Sequence, residues 1–240
     1  MKALRNLLIL LGLIVVAGFF VPVDIRNGYI YYLYGDIVNM TGDTGKAAAM
    51  FKDASEAMPA SATFARAYVR ALNDIALGFQ PGDSNSEQYY TQAYNFAKEW
   101  IEKNDKSEGA WGVLVERARA EWGLGRKNVA KATIDLAVNK MPTDYEALVY
   151  QGIMHRDIYP GDRNSVAASI PIFEQALEVR RETRTAWAHY EIAVAYRMIN
   201  DENRALAEIE QCLAQWPDRA LRIKAERLKN EIQSSGRTNR

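Results

Sequence analysis

One spacing, met three times, constrains this chain more than any other feature. Ala47, Phe51, Ala54 and Pro59 follow one another as small–x3–large–x2–small–x4–Pro. Ala130, Ile134, Ala137 and Pro142 repeat it, and so do Ala205, Ile209, Cys212 and Pro217. Steps of three and four place the small and large residues on one face of a helix. The proline then ends that helix. Upstream of each set lies a turn (Gly42-Asp43, Gly125, Asn200-Asp201) and another small residue (Gly35, Ala118, Ala193). A pair of small residues lets two helices approach closely, and the large residue fills the gap. No segment alternates convincingly as a strand does. The chain therefore reads as all-α, built from helical hairpins.

At these residues the sequence resembles the tetratricopeptide repeat family, whose unit is about 34 residues of helix–turn–helix. The clear units are Gly28–Ser61, Trp111–Asp144 and Ala186–Arg219. Two degraded units lie between them: Ala62–Asp105, with Ala93, and Tyr145–Glu182, with Gly152, Phe173 and Ala176. They lack the closing proline, and the family's Trp-x2-Leu-Gly start is degenerate throughout. Each carries Pro-Gly-Asp-x-Asn-Ser, at Pro81 and again at Pro160, 79 residues on. That repetition suggests a duplicated two-repeat block, or two loops that serve the same purpose, with the Asn or Ser capping the next helix. Pro171 falls inside an expected helix unless that helix starts late, near Ser169. The resemblance implies a right-handed solenoid of about five units over residues 28–219. Residues 220–240 supply a capping helix, with Leu221, Ala225, Leu228 and Ile232 on one side, and a basic tail.

Residues Leu7–Val23 form an uncharged apolar run. As a helix it spans about 26 Å, slightly less than a hydrocarbon core. Lys2 and Arg5 precede it, so the positive-inside rule leaves the N-terminus cytoplasmic and sends the rest across. Residues 1–27 are thus expected to be a single-pass anchor in a bacterial inner membrane, with a periplasmic C-terminal domain. Phe19, Phe20, Tyr29, Tyr31 and Tyr32 would lie at the membrane interface. A cleaved signal peptide competes, but Val15-Val16-Ala17 fits a cleavage site weakly.

Thirty basic and thirty acidic residues cancel, which argues against bulk nucleic-acid binding. Cys212 is the single cysteine, so no disulfide framework exists and no cysteine-rich metal site is expected. His155 and His189 fall in different repeats, and no nucleophile or phosphate-loop motif is present. No cofactor, metal or catalytic residue is expected. Trp100, Trp111, Trp122, Trp187 and Trp216 read mostly as core.

In the family, first helices line a concave groove. Mapped here, those positions are Arg66, Arg70, Asn73, Arg119, Trp122, Arg156, Trp187, Tyr190 and Arg197. Such a groove suits an extended peptide with acidic groups. The alternative is arginines paired with Glu116, Asp157 and Glu191 on solvated faces. The resemblance implies a protein-binding scaffold for a cell-envelope complex rather than an enzyme. A permanent accessory subunit and a periplasmic holdase chaperone are the competing readings.

Overall fold

The computed structural model describes residues 22–80, 82–180 and 185–238, with side chains through residue 234. Every regular element among them is an α-helix. Residues 1–21 of the expected anchor 1–27, including Phe19 and Phe20, lie outside the described residues, as does Pro81. Among those described, no helix is long and apolar enough to cross a membrane. The chain packs as two compact units that divide between Ala120 and Glu121.

The first unit holds α1 (Val23–Met40), α2 (Thr44–Ala57), α3 (Ala62–Leu77), α4 (Ser84–Asn104) and most of α5 (Ala110–Gly123). Its hairpins are α1/α2 and α3/α4, and α2 also packs on α3. A Cβ on Gly35 would lie 2.7 Å from the Phe51 ring, so only glycine lets α1 and α2 close to this distance. The expected pairing of small and large residues is thus realised. Tyr32, half-buried, stacks on Phe64 at 5.1 Å and tilts against Phe51. Tyr29 and Tyr31 are exposed. Trp100 is buried and donates its indole N–H to the Pro59 carbonyl at 2.7 Å. That bond satisfies the one polar atom a buried tryptophan brings.

The second unit holds α6 (Lys127–Lys140), α7 (Tyr145–Asp157), α8 (Arg163–Val179), α9 (Ala186–Met198), α10 (Glu202–Ala214) and α11 (Arg219–Thr238). A Cβ on Gly152 would stand 2.4 Å from the Phe173 ring, closer still than the equivalent contact at Gly35. The α7/α8 hairpin, one of the two degraded units, therefore keeps its defining contact. Tyr145 on α7 accepts the Ala188 N–H with its hydroxyl oxygen, joining α7 to α9 at 3.1 Å. Leu221, Ala225, Leu228 and Ile232 of α11 pack on the core of α9 and α10. The expected capping helix is there.

Three local readings need correction. Both Pro-Gly-Asp-x-Asn-Ser turns are capped by the aspartate, not by the Asn or Ser. Asp83 accepts from the Asn85 N–H, and Asp162 from those of Asn164 and Ser165. This cap starts α8 at Arg163, so Pro171 is inside the helix. Its missing N–H deprives the carbonyl of Ala167. Both residues are exposed, so water can take the place of the lost bond. Trp216 is not core: it is 82% exposed, with φ +51°, and buried Pro217 takes the inward place.

Candidate functional site

The expected groove residues fall in both units. In the first, four of them gather around one acid. Arg66, Arg70 and Asn73 are spaced four and three along α3, so they share a face. Gly112, Glu116 and Arg119 share the same spacing on α5. Glu116 is wholly buried. Arg70 donates from Nε to its Oε1 at 2.9 Å, and Arg119 from Nη1 to its Oε2 at 2.7 Å. Arg66 stands 3.9 Å from Oε1. Asn73 Nδ2 donates to the Glu116 backbone carbonyl at 2.9 Å and to Oε2 at 3.3 Å. Arg119 also reaches Asp74 at 2.7 Å.

Burial alone would raise the Glu116 pKa, but the three guanidinium groups, led by Arg119, hold it below the usual carboxylate range. The acid is therefore ionised. Such a cluster is not a large net source of stability, because desolvation offsets much of the attraction. It does fix the directions of long, otherwise mobile side chains. Gly112 contributes by absence: a Cβ there would come 2.8 Å from Arg66 Cδ. Arg66 can thus lie across α5, with its guanidinium over the Trp111 ring at 5.0 Å.

Beside this cluster is a cleft of about 330 Å³, lined by Tyr32, Asp36, Arg66, Arg70, Asp74 and Trp111, among others. Both charges face it. Burial raises the Asp36 pKa, and a hydrogen bond from the Tyr32 hydroxyl opposes the rise without cancelling it. Arg70 is the most open of the three arginines, its side chain 37% exposed. The cleft therefore offers oriented donors from Arg66 and Arg70, acceptors from Asp36 and Asp74, and flat rings from Tyr32 and Trp111.

The second unit repeats the central contact with different residues. Arg156 Nη1 donates to the Glu191 carbonyl at 3.2 Å and to Glu191 Oε2 at 2.7 Å. These are the same two acceptor atoms that Asn73 engages on Glu116. The positions correspond. Asn73 and Arg156 each lie twelve residues past their helix cap, at Ser61 and Asp144. Glu116 and Glu191 each lie twenty-six residues before a closing proline, at Pro142 and Pro217. Arg156 also grips Asp157 at 2.6 and 3.0 Å. Trp187 donates to Glu191 Oε1 at 3.0 Å and meets Tyr150 edge to face.

The pairing of arginines with Glu116, Asp157 and Glu191, weighed as an alternative, is thus present, but both glutamates are buried rather than solvated. Asn73 and Arg156, 0% and 5% exposed, have their donors turned onto those glutamates. They position the helices instead of facing a partner. Tyr190 is half-buried against the α9–α11 core. Arg197 makes only a loose 3.5 Å pair with Glu202, and Lys127 sits over the Trp122 ring.

The histidines take part in separate contacts. His155 meets Asp135 at 2.9 Å, alongside Lys131 and Gln151, and His189 meets Glu208 at 2.7 Å. Cys212 is buried, and burial pushes its thiol up to about 11, away from reactivity. Among the described residues no cluster of metal-ligating side chains is found.

Helical hairpins closed by small–large contacts, followed by a capping helix, define the tetratricopeptide-repeat fold. Solved structures agree. A thermophilic tetratricopeptide protein of Thermus thermophilus, TTC0263, matches with a TM-score of 0.66 and 15% identity, over 84% of this chain and 98% of that one. One from Parabacteroides merdae ATCC 43184 matches at 0.65 and 13%, over 86% and 71%. PilW, described as a widely conserved type IV pilus biogenesis factor, matches at 0.59 and 11%, over 81% and 80%. No protein-family model and no curated protein sequence matches the chain.

Proposed function

We propose that this chain is a membrane-anchored scaffold that holds a segment of a partner protein and supports assembly of a cell-envelope complex. It does no catalysis of its own. The observation that carries the reading is the cleft between α1, α3 and α5. There a buried glutamate fixes arginines that otherwise would be mobile, and it leaves Arg66 and Arg70 lining a concave, ring-walled surface. Preorganised donors reduce the ordering cost of binding. An extended peptide fits this chemistry, its carboxylate or carbonyl oxygens on the arginines and its N–H groups on Asp36 and Asp74.

Residues 1–27 form the anchor in this reading and residues 28–219 the repeat domain. The N-terminus is cytoplasmic, and the repeats stand in the periplasm of a bacterium. The support is the uncharged run Leu7–Val23 behind Lys2 and Arg5.

The test is a pull-down from native membranes through a C-terminal tag, comparing wild type with Arg70→Ala and Asp36→Ala. Both variants should keep the fold: in Arg70→Ala, Arg66 and Arg119 still compensate Glu116, and Asp36 is only partly buried and stands outside that cluster. Both should lose the same co-purifying membrane proteins. Unchanged retention by folded variants would overturn the cleft assignment. A reporter fused after Arg240 that works only in the cytoplasm would overturn the orientation.

A further inference from the structure

The side of α1 turned away from α2 and α3 is bare. Val23, Ile30, Leu33, Ile37 and Met40 are each more than half exposed, at 57, 55, 58, 59 and 85%. With Arg26 they fall at steps of three, four, three, four and three. The stripe that α1 uses for its own unit is a different one, made of Gly28, Tyr32, Gly35 and Val38. Alternating steps of three and four describe a heptad seam, with Val23, Ile30 and Ile37 at the a positions and Arg26, Leu33 and Met40 at the d positions. β-Branched residues at a with leucine at d select two parallel strands.

We propose that α1 pairs with α1 of a second copy of this chain, as a short parallel coiled coil through Ile30, Leu33, Ile37 and Met40. The residues flanking the seam fit a self-pairing. Tyr29 and Asp36 lie on one side and Asn27 and Tyr34 on the other, so a single ionised group per helix borders it. Arg26 is the one charge in the seam. It stands in the first turn, where a long side chain can reach water past the seam's end.

The seam begins at Val23, the last residue of the apolar run. Two copies rooted in one membrane by that run enter the pair from the same side, which enforces the parallel sense. This directional part rests on the anchor reading above, whereas the seam does not. The described seam is 18 residues long, short of the three to four heptads that mark an independent coiled coil. Pairing therefore depends on the raised effective concentration of tethered neighbours.

Single cysteines at Ile30, Leu33 and Ile37, and at the exposed off-seam positions Asp24 and Tyr31, test this in the full chain carrying Cys212→Ala. The protein is kept in vesicles of its native lipid and oxidised. Same-residue disulfides should form several-fold more at 30, 33 and 37 than at 24 and 31. Leu33→Lys should abolish the cross-link at 37 without shifting thermal unfolding. Equal yields at seam and flank overturn the pairing, and so do disulfides that form only when two different single-cysteine seam variants are mixed in one vesicle, as antiparallel helices would give. Seam cysteines shielded from maleimide without self-cross-linking also overturn it, since lipid or another helix then covers the face. Carbonate extraction of the same samples separates the two readings. Membrane-held protein without seam cross-links removes the pairing and leaves the anchor. Soluble protein with same-residue cross-links removes the anchor and leaves the seam.

Discussion

Replacing Gly152 by Ala sets two known effects against each other. Gly152 is in the interior of α7, where alanine is favoured over glycine by about 1 kcal/mol. Against that, the new methyl would stand 2.4, 2.6 and 2.7 Å from three atoms of the Phe173 ring. Carbon pairs prefer about 3.5–4.0 Å. Phe173 is wholly buried, so the ring cannot swing aside and the helices must part. Overpacking of this kind costs ~1–3 kcal/mol, and the closeness of the contact points to the upper end. The net is a loss of about 2 kcal/mol, or roughly 4–8 °C in Tm for a chain of this size. The assay is thermal unfolding of the full chain in detergent, followed by circular dichroism. Gly45→Ala is the matched control. Its Cβ would meet nothing nearer than 3.9 Å, so it should leave Tm unchanged or raise it. Adding Phe173→Leu to Gly152→Ala should recover part of the loss, as contacting residues couple. If Gly152→Ala is as stable as wild type, close helix approach is not what glycine provides there.

Glu116→Gln leaves three guanidinium groups without their buried counter-charge and should cost about 3–5 kcal/mol. It should also flatten the acid limb of the stability curve. The pKa of folded Glu116 is depressed, so its contribution is present above its ordinary value of 4.5 and is lost as pH falls through the lowered one. Urea titrations of wild type and variant from pH 3 to 7 read both effects. Asp162→Ala removes the acceptor of two backbone N–H groups at the start of α8 and should lower the urea midpoint in the same assay. Trp216→Gly should raise Tm, because the exposed indole packs on little and its φ of +51° is strained for any residue with a Cβ. A lowered Tm would mean that Trp216 is held by contacts its exposure does not suggest.

Much of the fold was legible because it rests on spacing. Small residues at fixed offsets from a large one and a proline can be counted, and Gly35–Phe51 and Gly152–Phe173 pack as that counting requires. The clustering of Arg66, Arg70 and Asn73 was also legible, since steps of four and three fix one helix face. The burial of Glu116 was not. A glutamate in a helix reads as solvated, and only the three-dimensional convergence of arginines makes a dry carboxylate tolerable. A signal did exist in the recurrence of Glu at the same distance from Pro142 and Pro217. Trp216 misled for the opposite reason. Its aromatic ring suggested core, yet the turn before Pro217 points the proline inward. The α1 seam lies in plain sequence too, but α1 carries two apolar stripes. Without knowing which one the unit uses, the leftover one cannot be singled out.

The paired glutamates keep the same contact across a change in spacing. Asn73 and Arg156 are 83 residues apart and Glu116 and Glu191 are 75 apart, while the two Pro-Gly-Asp turns are 79 apart. The separation falls by four at each step, close to the 3.6 residues of one helical turn. Helix lengths account for most of it: α3 and α4 have 16 and 21 residues, whereas α7 and α8 have 13 and 17, and the turn before Pro160 is one residue shorter than that before Pro81. Insertion or loss of a whole turn preserves which face a helix presents, so the glutamate contact survives where a one-residue change would rotate it away. The two contacts differ at one point of chemistry. In the second, one arginine meets the glutamate's carbonyl and carboxylate together. In the first, the shorter Asn73 makes those bonds without neutralising the charge, and the task passes to Arg66, Arg70 and Arg119. Arg66 and Arg70 also border the cleft, which ties the candidate binding surface to the way the core of the first unit balances one buried charge.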